Sequence, residues 1–114
     1  MFFPGCNKAL GMESGEIKDS QITASNWLYK SKHYSPVNAR LNSDTPSGGW
    51  CSAGILENDD QYIQIDLLKN TKLTGIATQG RSKNSEYIEK FQLMYQRDGE
   101  NFFRMYNESG VWKV

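Results

Sequence analysis

Between residues 61 and 67 the chain alternates strictly. Ile63, Ile65 and Leu67 fall on one face, and Tyr62, Gln64 and Asp66 on the other. A period of two puts successive side chains on opposite sides of a pleated backbone, so this segment is predicted to be a strand. Asp66 sits on its more polar face, and Arg40 is the cation expected to pair with it. Two further strand-like runs follow, 73–79 and 91–96, the second with Phe91, Leu93 and Tyr95 on one side. Between them lies a polar, charged loop that opens with Gly80-Arg81 and carries one large aromatic, Tyr87. Asp98-Gly99 is a hairpin turn signal and makes 102–106 the expected partner of 91–96. Gly110-Val111-Trp112-Lys113-Val114 begins another alternating run.

The N-terminal half is less periodic. Residues 6–26 hold few apolar side chains among Gly, Ser, Asp and Asn, which predicts irregular structure with short extended pieces around Ile17 and Ile22. Leu10, Met12, Ile17 and Ile22 are expected to point inward. Trp27-Leu28-Tyr29 comes next, followed by Lys30, Lys32, His33 and Tyr34, with neither a strand nor a helix period. Two readings fit: an aromatic cluster folded into the core, or an apolar loop tip rimmed by lysines that contacts a protein or membrane. Ser35 and Pro36 suit the N-cap and first position of a single helical turn, anchored by Val37 and Leu41. A loop over 42–49 ends at Trp50-Cys51, where a tryptophan beside a cysteine after two glycines is expected to be buried. With at least four strands, many turns and little helix, the fold class is all-β, a sandwich or a barrel.

Composition narrows the function. The 114 residues show no compositional break, which predicts one domain with one core. Thirteen basic residues balance thirteen acidic ones, so the footprint of a general nucleic-acid binder is missing and no nucleic-acid partner is expected. No apolar run has the length of a membrane span, and the first residues do not form a signal peptide. This suits a cytosolic chain, or an excerpt whose export signal lies upstream. Cys6 and Cys51 form no Cys-x-x-Cys pair; one disulfide, two free thiols, or two half-cystines missing their partners all fit. The single histidine, His33, lies in no nucleophile motif, and one histidine with two distant cysteines is a poor zinc supply. Asp44, Asn58, Asp59 and Asp60 are oxygen donors of the kind that bind calcium, but acidic loop residues are ordinarily just solvated. No phosphate-binding glycine loop occurs. Neither catalysis, nor a metal, nor a cofactor is expected. Asn107-Glu108-Ser109 is a glycosylation sequon, meaningful if the chain is exported.

A set of ordered motifs adds to this. Cys6-x-x-x-Leu10-Gly11-Met12-x-Ser14-Gly15-x-Ile17-x-Asp19-Ser20-Gln21-Ile22-Thr23-Ala24-Ser25 is followed by Ala39-Arg40-Leu41-Asn42, Gly49-Trp50-Cys51 and Ile63-Gln64-Ile65-Asp66-Leu67. Thr74-Gly75-Ile76-Ala77-Thr78-Gln79-Gly80 and Tyr95-x-x-Asp98-Gly99 complete the series. In order and spacing it resembles discoidin domains, also called coagulation factor V/VIII C-type domains, across 6–114, with 1–5 as an N-terminal extension. The resemblance implies a galactose-binding-like jelly-roll of antiparallel strands, non-enzymatic, in secreted or cell-surface multidomain proteins. It implies cell adhesion or recognition through loops at one end of the sandwich, with collagen, phosphatidylserine membranes, glycans or cell-surface proteins as ligands.

Placed on this sequence, Trp27, Leu28, Tyr29 and Lys30 fall in the first such loop. Gly49-Trp50-Cys51 closes the second, and Arg81, Lys83, Glu86 and Tyr87 fall in the third. Thr78-Gln79-Gly80-Arg81 resembles collagen-receptor members, in which this arginine and a nearby glutamate contribute to collagen binding; Glu86 and Glu89 compete for the second role. Ile65-Asp66-Leu67-Leu68 and Ser85-Glu86-Tyr87 are similar to the clotting-factor and lactadherin members. The family continues past Val114 to a closing cysteine that pairs with the position of Cys6, and in collagen-receptor members Cys51 also pairs with a late cysteine. The chain is thus expected to be a fragment with open sheet edges, its two cysteines not bonded to each other. The alternative function is a carbohydrate-binding accessory domain of a larger secreted enzyme, and a third reading is a structural matrix domain with no ligand of its own.

Overall fold

The computed structural model describes residues 8–43, 48–53, 60–81 and 85–106. Strand β1, Ile22–Ala24, pairs antiparallel with β2, Ile63–Ile65, with Ile22 opposite Ile65 and Ala24 opposite Ile63. The pairing runs on at both ends. Asp66 N–H donates to the Gln21 carbonyl at 2.8 Å, and Ser25 N–H to the Tyr62 carbonyl at 2.9 Å. Ile22 at 3% exposure and Ile17 at 5% form the buried apolar centre. Met12 is half-buried, but Leu10 stands 41% exposed, contrary to expectation. It stands two residues after the first described position, Lys8, and no described hydrogen bond anchors it.

Gly11 shapes the turn that carries Ile17 inward. Its φ is +120°, its carbonyl accepts N–H groups from both Gly15 and Ile17, and a Cβ there would meet the Glu16 Cβ at 2.5 Å. Gly11→Ala is therefore expected to destabilise the chain by about 1–3 kcal/mol, read from chemical denaturation.

The helical turn expected after Ser35 is present as a 3-10 turn, Pro36–Ala39, with Pro36 at its start and packing against β1. The anchor differs from expectation. Pro36 and Asn38 are the buried residues, while Val37 and Leu41 are half-buried. Asn38 is tolerated inside because its Nδ2 donates to the Lys32 carbonyl at 2.9 Å.

Arg40 does not meet Asp66. Its Nη2 lies 2.6 Å from Asp19 Oδ1, and its Nη1 donates to the Met12 carbonyl at 2.8 Å. Asp66 instead accepts the Leu68 N–H at 2.8 Å, which steadies Leu68 at φ 68°. Charge complementarity alone leaves the partner open; the chain path brings Asp19 to Arg40 and uses Asp66 in a local turn.

The second sheet is the foreseen hairpin. Strand β3, Met94–Tyr95, pairs antiparallel with β4, Arg104–Met105, and Gly99 turns the chain at φ +84°. It is shorter than the 91–96 run. Residues 73–79 carry no sheet pairing among the described residues, against the strand expected there. Leu73, Ile76, Met94 and Met105 line an open hollow and remain exposed. A strand exists through its ladder partner, and among the described residues 73–79 meets Asn42 through the Gln79 side chain, which exchanges hydrogen bonds with it and not the ladder bonds of a sheet.

Glu100 staples the hairpin, with Oε1 2.9 Å from Arg104 Nη2. This contact holds the Glu100 carboxyl below its ordinary value of 4.5, against a smaller opposing effect of burial. A depressed acid contributes stability that is present above its unfolded pKa and lost as pH falls through the folded one. Hairpin order, followed by the Met94 and Met105 amide signals, is expected to weaken below about pH 4 and to become pH-independent in Glu100→Gln.

Candidate functional site

Three loops meet beyond the end of β1. Asn26 leaves the strand and fixes the end of the second loop: its Oδ1 accepts the Ala53 N–H at 2.8 Å, and its carbonyl accepts the Trp50 indole N–H at 2.9 Å. Trp50 is half-buried. Cys51 then threads the two stems of the first loop together, its carbonyl accepting the Leu28 N–H at 2.9 Å and its N–H donating to the Tyr34 carbonyl at 3.2 Å. Cys51 is a free thiol. Burial raises its pKa, partly countered by the Arg81 charge. Cys6 lies outside the described residues.

The first loop consists of two 3-10 turns, Leu28–Lys30 and Lys32–Tyr34. Tyr29 and Lys30 have φ of 56° and 52°, the left-handed region that side chains ordinarily avoid. This backbone separates the aromatic cluster into two fates. Trp27 is half-buried, with its Nε1 covered and without an acceptor among the described residues, and Lys30 Nζ sits 4.9 Å from its ring centroid. Leu28 is half-buried, and Tyr29 stands 82% exposed at the tip.

The third loop is closed by a double tie. Arg81 N–H donates to the Glu86 carbonyl at 2.8 Å, and Arg81 Nη1 lies 2.8 Å from Glu86 Oε2. Gly80 permits this closure, since a Cβ there would meet the Glu86 carbonyl at 3.1 Å and the Tyr87 Cβ at 3.3 Å. Of the two glutamates, Glu86 is the one that meets Arg81, and that contact raises the guanidinium pKa further. Tyr87 is exposed at 71%, with Ile88 and Glu89 exposed beside it. Lys83 and Asn107 lie outside the described residues.

The loops share one continuous run of contacts. Tyr29 and Tyr34 meet edge to face, with centroids 6.4 Å apart at 65°. The Arg81 guanidinium carbon lies 5.4 Å from the Tyr34 centroid, so the run extends from Tyr29 through Tyr34 and Arg81 to Glu86. Gly49 packs beneath the Arg81 side chain, which is only 16% exposed. Tyr34 is not legible as a site residue in the sequence. Its signal is an aromatic directly before the Ser35-Pro36 turn, which is indistinguishable locally from a core residue. Chemically the face offers two exposed phenols, an ion pair and flanking lysines. No cluster of three metal-binding side chains occurs among the described residues, and no described helix is long and apolar enough to cross a membrane.

The family model described as F5/8 type C domain matches residues 21–113. Coagulation factor V of Sus scrofa is 41% identical over 99 residues, covering 83% of this chain and 4% of that protein. Discoidin domain-containing receptor A of Caenorhabditis elegans is 37% identical over 106 residues, covering 90% and 14%. Human EGF-like repeat and discoidin I-like domain-containing protein 3 is 38% identical over 106 residues, covering 86% and 21%. The chain thus corresponds to a small part of each of these relatives. The match of family and motifs over most of its length, on a scaffold of antiparallel strands and short turns, places this chain in the F5/8 type C (discoidin) domain family, whose fold is the all-β galactose-binding-like sandwich.

Proposed function

We propose that the chain is an extracellular adhesion module, one part of a larger multidomain protein, that binds a protein ligand of the collagen class through its first and third loops. The observation that supports this most is the contact between Arg81 and Glu86, flanked by exposed Tyr29 and Tyr87. Tyrosine and arginine are the side chains that most often anchor protein interfaces, because they offer large rigid surfaces at low conformational cost. The ion pair cancels its own charge, which suits a polar polypeptide better than a uniformly anionic surface. Such a role is binding, with no reaction catalysed.

Exposed Lys30 and Lys32 beside Tyr29 favour a second reading, an anionic phospholipid surface. The test is a titration of the full chain against immobilised fibrillar collagen, phosphatidylserine vesicles and a glycan array. Saturable collagen binding that changes little between low and physiological salt is expected. Binding to vesicles alone, lost with added salt, would replace the first reading with the second, and binding to glycans alone would point to a carbohydrate-binding accessory domain.

A further inference from the structure

We infer that Tyr34 is a positioning residue that couples the first and third loops into a single ligand-binding face. This rests on the functional reading above and extends it to a residue behind the exposed tips. The Tyr34 ring is the shared partner of two groups that belong to different loops: the Tyr29 ring at 6.4 Å and the Arg81 guanidinium at 5.4 Å. Its own backbone is held on both sides. Tyr34 N–H donates to the Ser31 carbonyl at 3.0 Å, and its carbonyl accepts the Cys51 N–H at 3.2 Å. The turn that carries it is pinned from beneath, where buried Asn38 and the Ser35 hydroxyl both donate to the Lys32 carbonyl.

A fixed ring matters because what leans on it is not self-supporting. Tyr29 and Lys30 are consecutive non-glycine residues in the left-handed region, a conformation that persists only where surrounding contacts hold it. The side-chain contacts that hold it are Tyr29 on Tyr34 and Lys30 on Trp27. On the other side, Arg81 joins Tyr34 to Glu86 and so to the backbone that presents Tyr87. A shift of either loop is therefore felt by the other through this ring. The planar guanidinium and the flat phenol make the contact sensitive to shape as well as charge, so an aliphatic side chain of similar bulk does not replace it.

The test has a ligand-free arm and a binding arm. In the ligand-free chain, Arg81→Ala is expected to shift the Tyr29 ring NMR signals in the parent and in Tyr34→Phe, and to leave them unmoved in Tyr34→Leu. On collagen, Tyr29→Ala and Arg81→Ala are expected to be non-additive by about threefold or more in Kd in the parent, and additive in Tyr34→Leu. Tyr34→Phe restores the parent pattern in both arms. Tyr29 signals indifferent to Arg81→Ala in the parent and in Tyr34→Phe would overturn the inference, even if Tyr34→Leu fails to fold. A chain that binds no collagen but shows the ring coupling would overturn the functional reading and leave the coupling standing.

Discussion

Tyr29→Ala is expected to lower affinity for collagen by roughly thirtyfold while leaving unfolding free energy within about 0.5 kcal/mol, and Trp27→Ala to act chiefly on stability. The two residues are two positions apart and both aromatic, but the left-handed backbone at Tyr29 and Lys30 sends them to different places. Tyr29 is 82% exposed and touches Tyr34 at its edge, so its truncation removes interface and the contact that steadies the tip, with little effect on global folding. Trp27 is half-buried, with a covered indole nitrogen and the Lys30 ammonium on its face. Truncating it opens a cavity and frees Lys30, at a cost of about 2 kcal/mol after allowing for partial exposure. Denaturant melts beside surface binding curves for each variant separate the two effects. Equal loss of stability and affinity in Tyr29→Ala would show that the tip is structural.

Arg81→Ala is expected to weaken collagen binding at least tenfold with only a small loss of stability. The ion pair is partly solvated at Glu86 and contributes little on its own to folding. Its geometric role is larger, since the same guanidinium ties Glu86 and rests on Tyr34. Arg81→Lys keeps the charge but not the planar fork, and is expected to recover less than half of the lost binding free energy. The exchange Arg81→Glu with Glu86→Arg tests the pair directly. Recovery there would mean that charge pairing alone sets the loop, and the Tyr34 contact would then be dispensable. Calorimetric titration against a triple-helical peptide, with thermal melts as control, reads both quantities.

Local pattern carried the parts of the fold that depend on neighbours in sequence. The alternation around Ile63 marks β2, Asp98-Gly99 marks the β3–β4 turn, and Ser35-Pro36 marks the 3-10 turn. Ordered family motifs carried the fold class, because their spacing holds over most of the chain. What local pattern could not supply was the identity of partners distant in sequence. Residues 73–79 have strand composition but no ladder among the described residues. Charge alone pairs Arg40 with Asp66, while the path of the chain delivers Asp19.

The candidate site shows the same division. Tyr29, Arg81, Glu86 and Tyr87 stand out as aromatic and charged residues in polar loops. Which glutamate faces Arg81 is decided by the closure over Gly80, and the ring joining the two loops is Tyr34, which no local motif distinguishes from core.

The most direct measurement of the central claim is an NMR titration of the full chain with a triple-helical collagen peptide. Saturable shifts are expected at Tyr29, Tyr34, Arg81, Glu86 and Tyr87, with β3, β4 and their turn unaffected. Shifts confined to the 94–105 hairpin, or none at millimolar peptide, would contradict a collagen-binding face built from the first and third loops.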